Sequence, residues 1–118
     1  MIHSEHYDKY FPEPGVRYFV DEYSGFILWE GFFDQLFQLV SKKLNSKAYP
    51  IEFVQYSNLT GWKEGGLHSQ QIDVDGTVNA ISTVLDSKLK EDYLACYTSL
   101  KDYLEHNIKN KIYIIEHL

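Results

Sequence analysis

The sequence predicts an α+β fold, a small, mainly antiparallel sheet packed against two or three helices. Two observations carry that expectation. Short runs rich in β-branched and aromatic residues, bounded by turn formers, alternate with longer stretches of helical periodicity, in the order β-β-α-β-(β)-α-α-β. The 118 residues show no repeat, low-complexity segment or linker, which predicts a single domain over residues 1–118. A chain 44% hydrophobic and 24% charged belongs with globular rather than disordered proteins.

The elements follow in order. Residues 1–15 read as irregular, because "FPEPG" (Phe11 to Gly15) sets two prolines and a glycine against helix and strand alike. "VRYFV" (Val16 to Val20) and "FILW" (Phe26 to Trp29) are β-rich, and "DEYSG" between them supplies turn residues, so the pair predicts a hairpin. The alternative is that "FILW" already opens the next helix. That helix is the strongest pattern in the chain. Phe33, Leu36, Phe37, Val40 and Leu44 form an i, i+3, i+4 stripe, with Phe32 and Leu39 widening it. Acids at its start and lysines near its end match the helix dipole, and Pro50 sets a stop. "IEFVQY" (Ile51 to Tyr56) reads as a strand, and "SQQIDV" (Ser69 to Val74) as a short one. Asp75 or Thr77 is placed to cap a helix whose stripe is Val78, Ile81, Val84, Leu85 and Leu89. Tyr93, Tyr97, Leu100 and Leu104 line a longer helix, with Asp102 and Glu105 on its outer side. "KIYIIEH" (Lys111 to His117) is a final β-branched strand that must pair with a sheet or expose a sticky edge.

Charge excludes some partners. The net charge is −6, and Met1 to Val40 holds seven acids against two bases. Such a surface repels nucleic acid and anionic lipid and attracts a basic partner. No apolar run approaches the roughly 20 residues of a membrane span. The N-terminus lacks the basic start and apolar stretch of a secretion signal. The lone Cys96 has no partner for an internal disulfide, which fits a reducing compartment and predicts a cytoplasmic protein. On a helix it is expected as a small buried residue rather than a nucleophile.

The segment "LTGWKEGGLHSQQIDVDG" (Leu59 to Gly76) invites three chemical readings. Gly61 and Gly66 have phosphate-loop spacing, but Leu67 and His68 stand where the lysine and hydroxyl are needed. Asp73, Asp75 and Gly76 match the third, fifth and sixth positions of a calcium loop. Gln71 and Ser82 then replace its first carboxylate and its bidentate glutamate. For transition metals, His3 and His6 sit three apart in the tail and the other histidines are scattered, without metal-ligand spacing. No cofactor or metal is therefore expected. A hydrolytic pair of Cys96 with His106 fails too, since ten residues along one helix keep them apart. No enzyme activity is expected.

What remains is an interaction surface built from Asp21, Glu22, Tyr23, Tyr56, Trp62, Glu64, Asp73 and Asp75, drawn from predicted loops and strand ends. Carboxylates accelerate encounter with a basic protein and accept charge-assisted hydrogen bonds, while aromatics supply desolvated anchors. In size, acidity and content of Tyr, Trp, Asp and Glu, the chain resembles bacterial immunity proteins. That resemblance implies a tight inhibitory complex with a cognate toxin, often a basic nuclease domain, whose nucleic-acid phosphate positions the carboxylates occupy. Two alternatives stand beside it. One is a ligand-binding or regulatory domain with an aromatic pocket of Tyr93, Tyr97 and Trp29. The other is a DNA-mimic inhibitor. Monomer and dimer both remain open, the dimer by pairing of the Lys111–His117 strand.

Overall fold

The computed structural model describes residues 1–59 and 69–117. The expected α+β fold is present, with a five-stranded, mostly antiparallel sheet and four helices among the described residues. The strands are β1 (Ile2–His6), β2 (Gly15–Phe19), β3 (Gly25–Trp29), β4 (Gln70–Gln71) and β5 (Tyr113–His117). The helices are α1 (Glu30–Lys43), α2 (Ile51–Ser57), α3 (Val74–Val84) and α4 (Glu91–His106). The sheet order is β1-β3-β2-β5-β4.

The predicted hairpin forms as β2 and β3, in the register Val16 to Leu28 and Tyr18 to Phe26. Period-two alternation turns Val16 and Tyr18, with Phe26, Leu28 and Ile114, into one fully buried row under the helices. Gly15 is required by close packing. A Cβ there would lie 2.9 Å from both the Leu28 carbonyl and the Tyr7 ring.

α1 follows its predicted stripe, with Phe32, Phe33, Leu36 and Val40 buried and Phe37 and Leu44 packed beside them. α4 buries Tyr97, Leu100 and Leu104 of its expected stripe together with Cys96, and Tyr93 packs beside them half-buried. The Tyr97 hydroxyl, buried with its ring, donates to the Phe32 carbonyl at 2.7 Å. That bond ties α4 to the first turn of α1 and satisfies a polar group that burial would otherwise penalise.

Three expectations are corrected. Residues 1–15 are not irregular throughout: Ile2–His6 is a strand, parallel to β3, and Asp8–Tyr10 is one turn of 3-10 helix. Its pairing partner, β3, exposes a free edge on that side of the hairpin, and pairing satisfies the edge whatever the local propensity. "IEFVQY" is helical, not extended. Pro50 supplies the N-cap residue, and its carbonyl accepts from the N–H groups of Phe53 and Val54. The helix buries Glu52 and Phe53, whereas strand alternation would have put them on opposite faces. The cap of α3 is Asp73 rather than Asp75 or Thr77, and its side chain makes no capping bond. The last strand, β5, joins the sheet, as its β-branched composition required. It pairs with β2 along its length and with β4 at Tyr113 and Ile114.

Candidate functional site

Sheet register decides which of the expected binding residues meet. Phe19 pairs with Tyr113, and Tyr113 pairs with Gln71. The β2–β3 turn and the start of α3 therefore leave the sheet at the same end, two strands apart. This brings Asp21, Glu22, Tyr23, Asp73 and Asp75 to one rim of the molecule, with Lys111 entering β5 between the two groups.

The β2–β3 turn is held from below. Arg17 Nη2 donates to the carbonyls of Asp21, Glu22 and Ser24 at 3.3, 3.1 and 2.9 Å. Asp21 Oδ1 accepts from the Tyr23 N–H at 2.8 Å, an Asx turn that takes up part of that carboxylate. The Met1 amino group donates to the Tyr23 carbonyl at 3.0 Å. With the backbone fixed, the Tyr23 side chain stands outward, 76% exposed, and Glu22 is exposed beside it. On the other side of the rim, Asp73 and Asp75 are exposed at the positive end of α3, where carboxylates are favoured. The "DVDG" stretch thus opens a helix. Among the described residues no group of three or more His, Cys, Asp or Glu side chains converges to hold a metal.

The remaining candidates fall elsewhere. Tyr56 lies on α2, its hydroxyl donating to Asp34 Oδ1 at 2.8 Å and its ring set edge-on to Phe33 and Phe37. Burial, reinforced by the Asp34 carboxylate, pushes its phenol well above the usual range. It packs helices together and does not belong to the rim. Trp62 and Glu64 lie outside the described residues. The aromatic-pocket residues are also used in packing. Trp29 stacks flat on Tyr10 at 4.2 Å, and Tyr93 stacks on the buried Tyr97 at 6.2 Å.

Sequence reading missed one polar centre entirely. Glu52 is fully buried, and its Oε2 accepts from Tyr18 Oη at 3.1 Å and Thr77 Oγ1 at 2.9 Å. One carboxyl thereby joins β2, α2 and α3. Its Oε1 is buried without a hydrogen-bond partner among the described residues. Burial pushes the Glu52 pKa up to about 7, against the hydrogen bonds that favour its charged form, and the charge of Asp73 adds to the rise. The same burial raises the Tyr18 phenol well above its usual value. The available signal was a lone acid inside an apolar run, "PIEFV".

Cys96 is fully buried, as its helical setting led us to expect. Burial, with a smaller contribution from the Glu5 charge, holds its thiol far above the ordinary range, so no thiolate is available near neutrality. The folded protein is expected to leave a thiol-disulfide exchange reagent unreacted at pH 8 and to consume one equivalent once unfolded in urea. Rapid reaction of the folded chain would show that α4 opens readily.

Among the described residues, no helix is long and apolar enough to cross a membrane. No family model, curated protein or solved structure matches this chain.

Proposed function

We propose that this protein is an inhibitor that binds a basic protein partner through the rim formed by Glu22, Tyr23, Asp73 and Asp75. In its most specific form it is an immunity protein that neutralises a cognate bacterial toxin in the cytoplasm, a basic nuclease domain being the target class. The observation that supports this reading is the register of the sheet. It brings exposed carboxylates from two distant segments to the end of the sheet at which Tyr23 is exposed. A stiff aromatic ring beside carboxylates suits a cationic surface. The ring offers contact area at low entropic cost, and the acids draw the partner in. The Arg17 clamp favours tight binding, because a turn already held in one conformation loses little freedom on association. Lys109 and Lys111 flank the Asp73–Asp75 side of the rim and offset part of its charge, so the attraction is strongest at the Glu22 end.

The test begins with a low-salt capture of the partner from the protein's own organism and its release by high salt. With the purified partner, Glu22→Lys and Asp73→Lys are each expected to slow association about tenfold and to flatten its dependence on ionic strength. The wild-type chain should rescue cells expressing the partner, and the double variant should not. Unchanged association rates and salt slopes in both variants would remove this rim from the interface.

A further inference from the structure

A groove of about 490 Å³ separates β1 and the start of β3 from the last turns of α4. That volume lies within the range of small-ligand sites. Its construction is unusual for a contact between helix and sheet. A helix lying on a sheet ordinarily fills the seam with apolar side chains. Here α4 presents Ser99, Asp102, Tyr103 and His106 to the groove, an i, i+3, i+4, i+7 stripe that is mostly polar. Facing it, β1 contributes His3 and Glu5, which lie on one face of the strand. The register shift between His3 and His6 brings His6 to the helix as well, and its Nε2 lies 3.3 Å from Ser99 Oγ.

The chemistry of the lining selects a class of ligand. The walls are aromatic. Phe26 is buried beneath the groove, with the Tyr103 ring 6.0 Å from it and the His3 ring 5.9 Å from Tyr103. The charged side chains of the lining are the carboxylates of Glu5 and Asp102, both exposed, and no Lys or Arg is among the lining residues described. The lining also includes Met1, whose amino group donates to the Tyr23 carbonyl, so one positive charge stands there against the two carboxylates. Arg17 Nη2 donates to three carbonyls of the β2–β3 turn. His106 Nδ1 donates to the Asp102 carbonyl at 3.0 Å. Two carboxylates and π faces together form a receptor for a positive charge carried on an apolar body.

We propose that the groove between β1 and α4 binds an organic cation, an alkylammonium or guanidinium group attached to an aromatic or aliphatic body. Glu5 and Asp102 neutralise the charge, and Phe26 and Tyr103 receive the body. An anion is disfavoured by both carboxylates, and a neutral analogue forfeits the charge-assisted bonds. The cation has two possible sources, a free amine and a Lys or Arg side chain of a protein. The inference stands apart from the proposed inhibitory role, because Glu22 and Asp73 do not line this groove.

The test is calorimetric titration of the full chain at low salt with phenethylamine, with 2-phenylethanol and 3-phenylpropanoate as its neutral and anionic counterparts. N-acetyl-arginine amide serves as the side-chain probe. One of the cations is expected to bind saturably to one site, at least tenfold more tightly than the neutral analogue. Amide shifts in the NMR spectrum should centre on His3, Ser99 and Tyr103. Tighter binding of phenethylamine assigns the groove to a free ligand, and tighter binding of the arginine amide assigns it to a side chain. The double variant Glu5→Gln, Asp102→Asn, altered only at exposed positions, should unfold like the wild type and bind about tenfold more weakly. Absence of saturable binding by either cation, equal affinity for the neutral analogue, shifts centred elsewhere, or full affinity in the double variant would each overturn the proposal. Loss of partner binding in Glu22→Lys or Asp73→Lys with the titration unchanged separates this site from the rim.

Discussion

Replacing Glu52 by glutamine is expected to stabilise the protein by about 3 kcal/mol at pH 9 and to change its stability little at pH 4. The argument rests on a carboxyl that is fully buried and whose pKa rises from 4.5 to about 7 on folding. A group whose pKa is raised in the folded state favours folding while it is protonated in both states. That contribution is complete below pH 4.5 and is lost as pH rises to about 7 and beyond. At about 1.4 kcal/mol per pH unit, the loss across this window reaches about 3 kcal/mol. Glutamine keeps an oxygen to accept from Tyr18 and Thr77 but has no proton to lose. Urea unfolding at pH 4, 7 and 9 measures the difference directly. A wild-type chain whose stability is flat between pH 5 and 8, once the same series in the variant is subtracted, would mean that water reaches Glu52 and solvates its charge.

Phe33→Ala is expected to lower the unfolding free energy by about 3–5 kcal/mol. Phe33 is fully buried, and its ring lies 5.2 Å from both Phe53 and Tyr56. Those two residues belong to α2, whose seven residues are too few to hold a helix without tertiary packing. The cavity left by the ring therefore adds to the loosening of a whole element. Against a total stability of roughly 5–15 kcal/mol for a native domain, the loss is severe. Ile51→Ala on the same helix is the control. Ile51 is 39% exposed, and the change should stay within about 0.5 kcal/mol. Equal effects from the two substitutions would mean that α2 is not anchored through Phe33.

The parts of the fold legible in the sequence are those whose periodicity and burial agree. α1 and α4 bury most of the residues their stripes select, with Phe37, Leu44 and Tyr93 half-buried beside them, and the β2–β3 hairpin follows its turn chemistry. The misread elements are those where partners outweigh propensity. "IEFVQY" is rich in strand formers, yet a helix sends Glu52 to Tyr18 and Thr77, Phe53 to Phe33, and Tyr56 to Asp34. No local pattern signals that three-way fit. Ile2–His6 carries no strand signature of its own and is extended because β3 offers it an edge. The groove was illegible for the same reason, since that strand supplies one of its walls through His3 and Glu5. The rim was legible as a set of residue types but not as a place, because only register puts Glu22 at the same end of the sheet as Asp73.

The position of β5 also bears on how the chain assembles. The hairpin of β2 and β3 closes between neighbouring segments, whereas Tyr113 must return across most of the chain to meet Phe19. Closing so long a loop forfeits entropy before any ladder bond repays it, so the hairpin forms first and the middle of the sheet fills last. Until then β2 is an open edge over Gly15–Phe19, with Val16 and Tyr18 uncovered. A chain halted at that stage would be a hairpin with a vacant, apolar slot, open to the wrong strand.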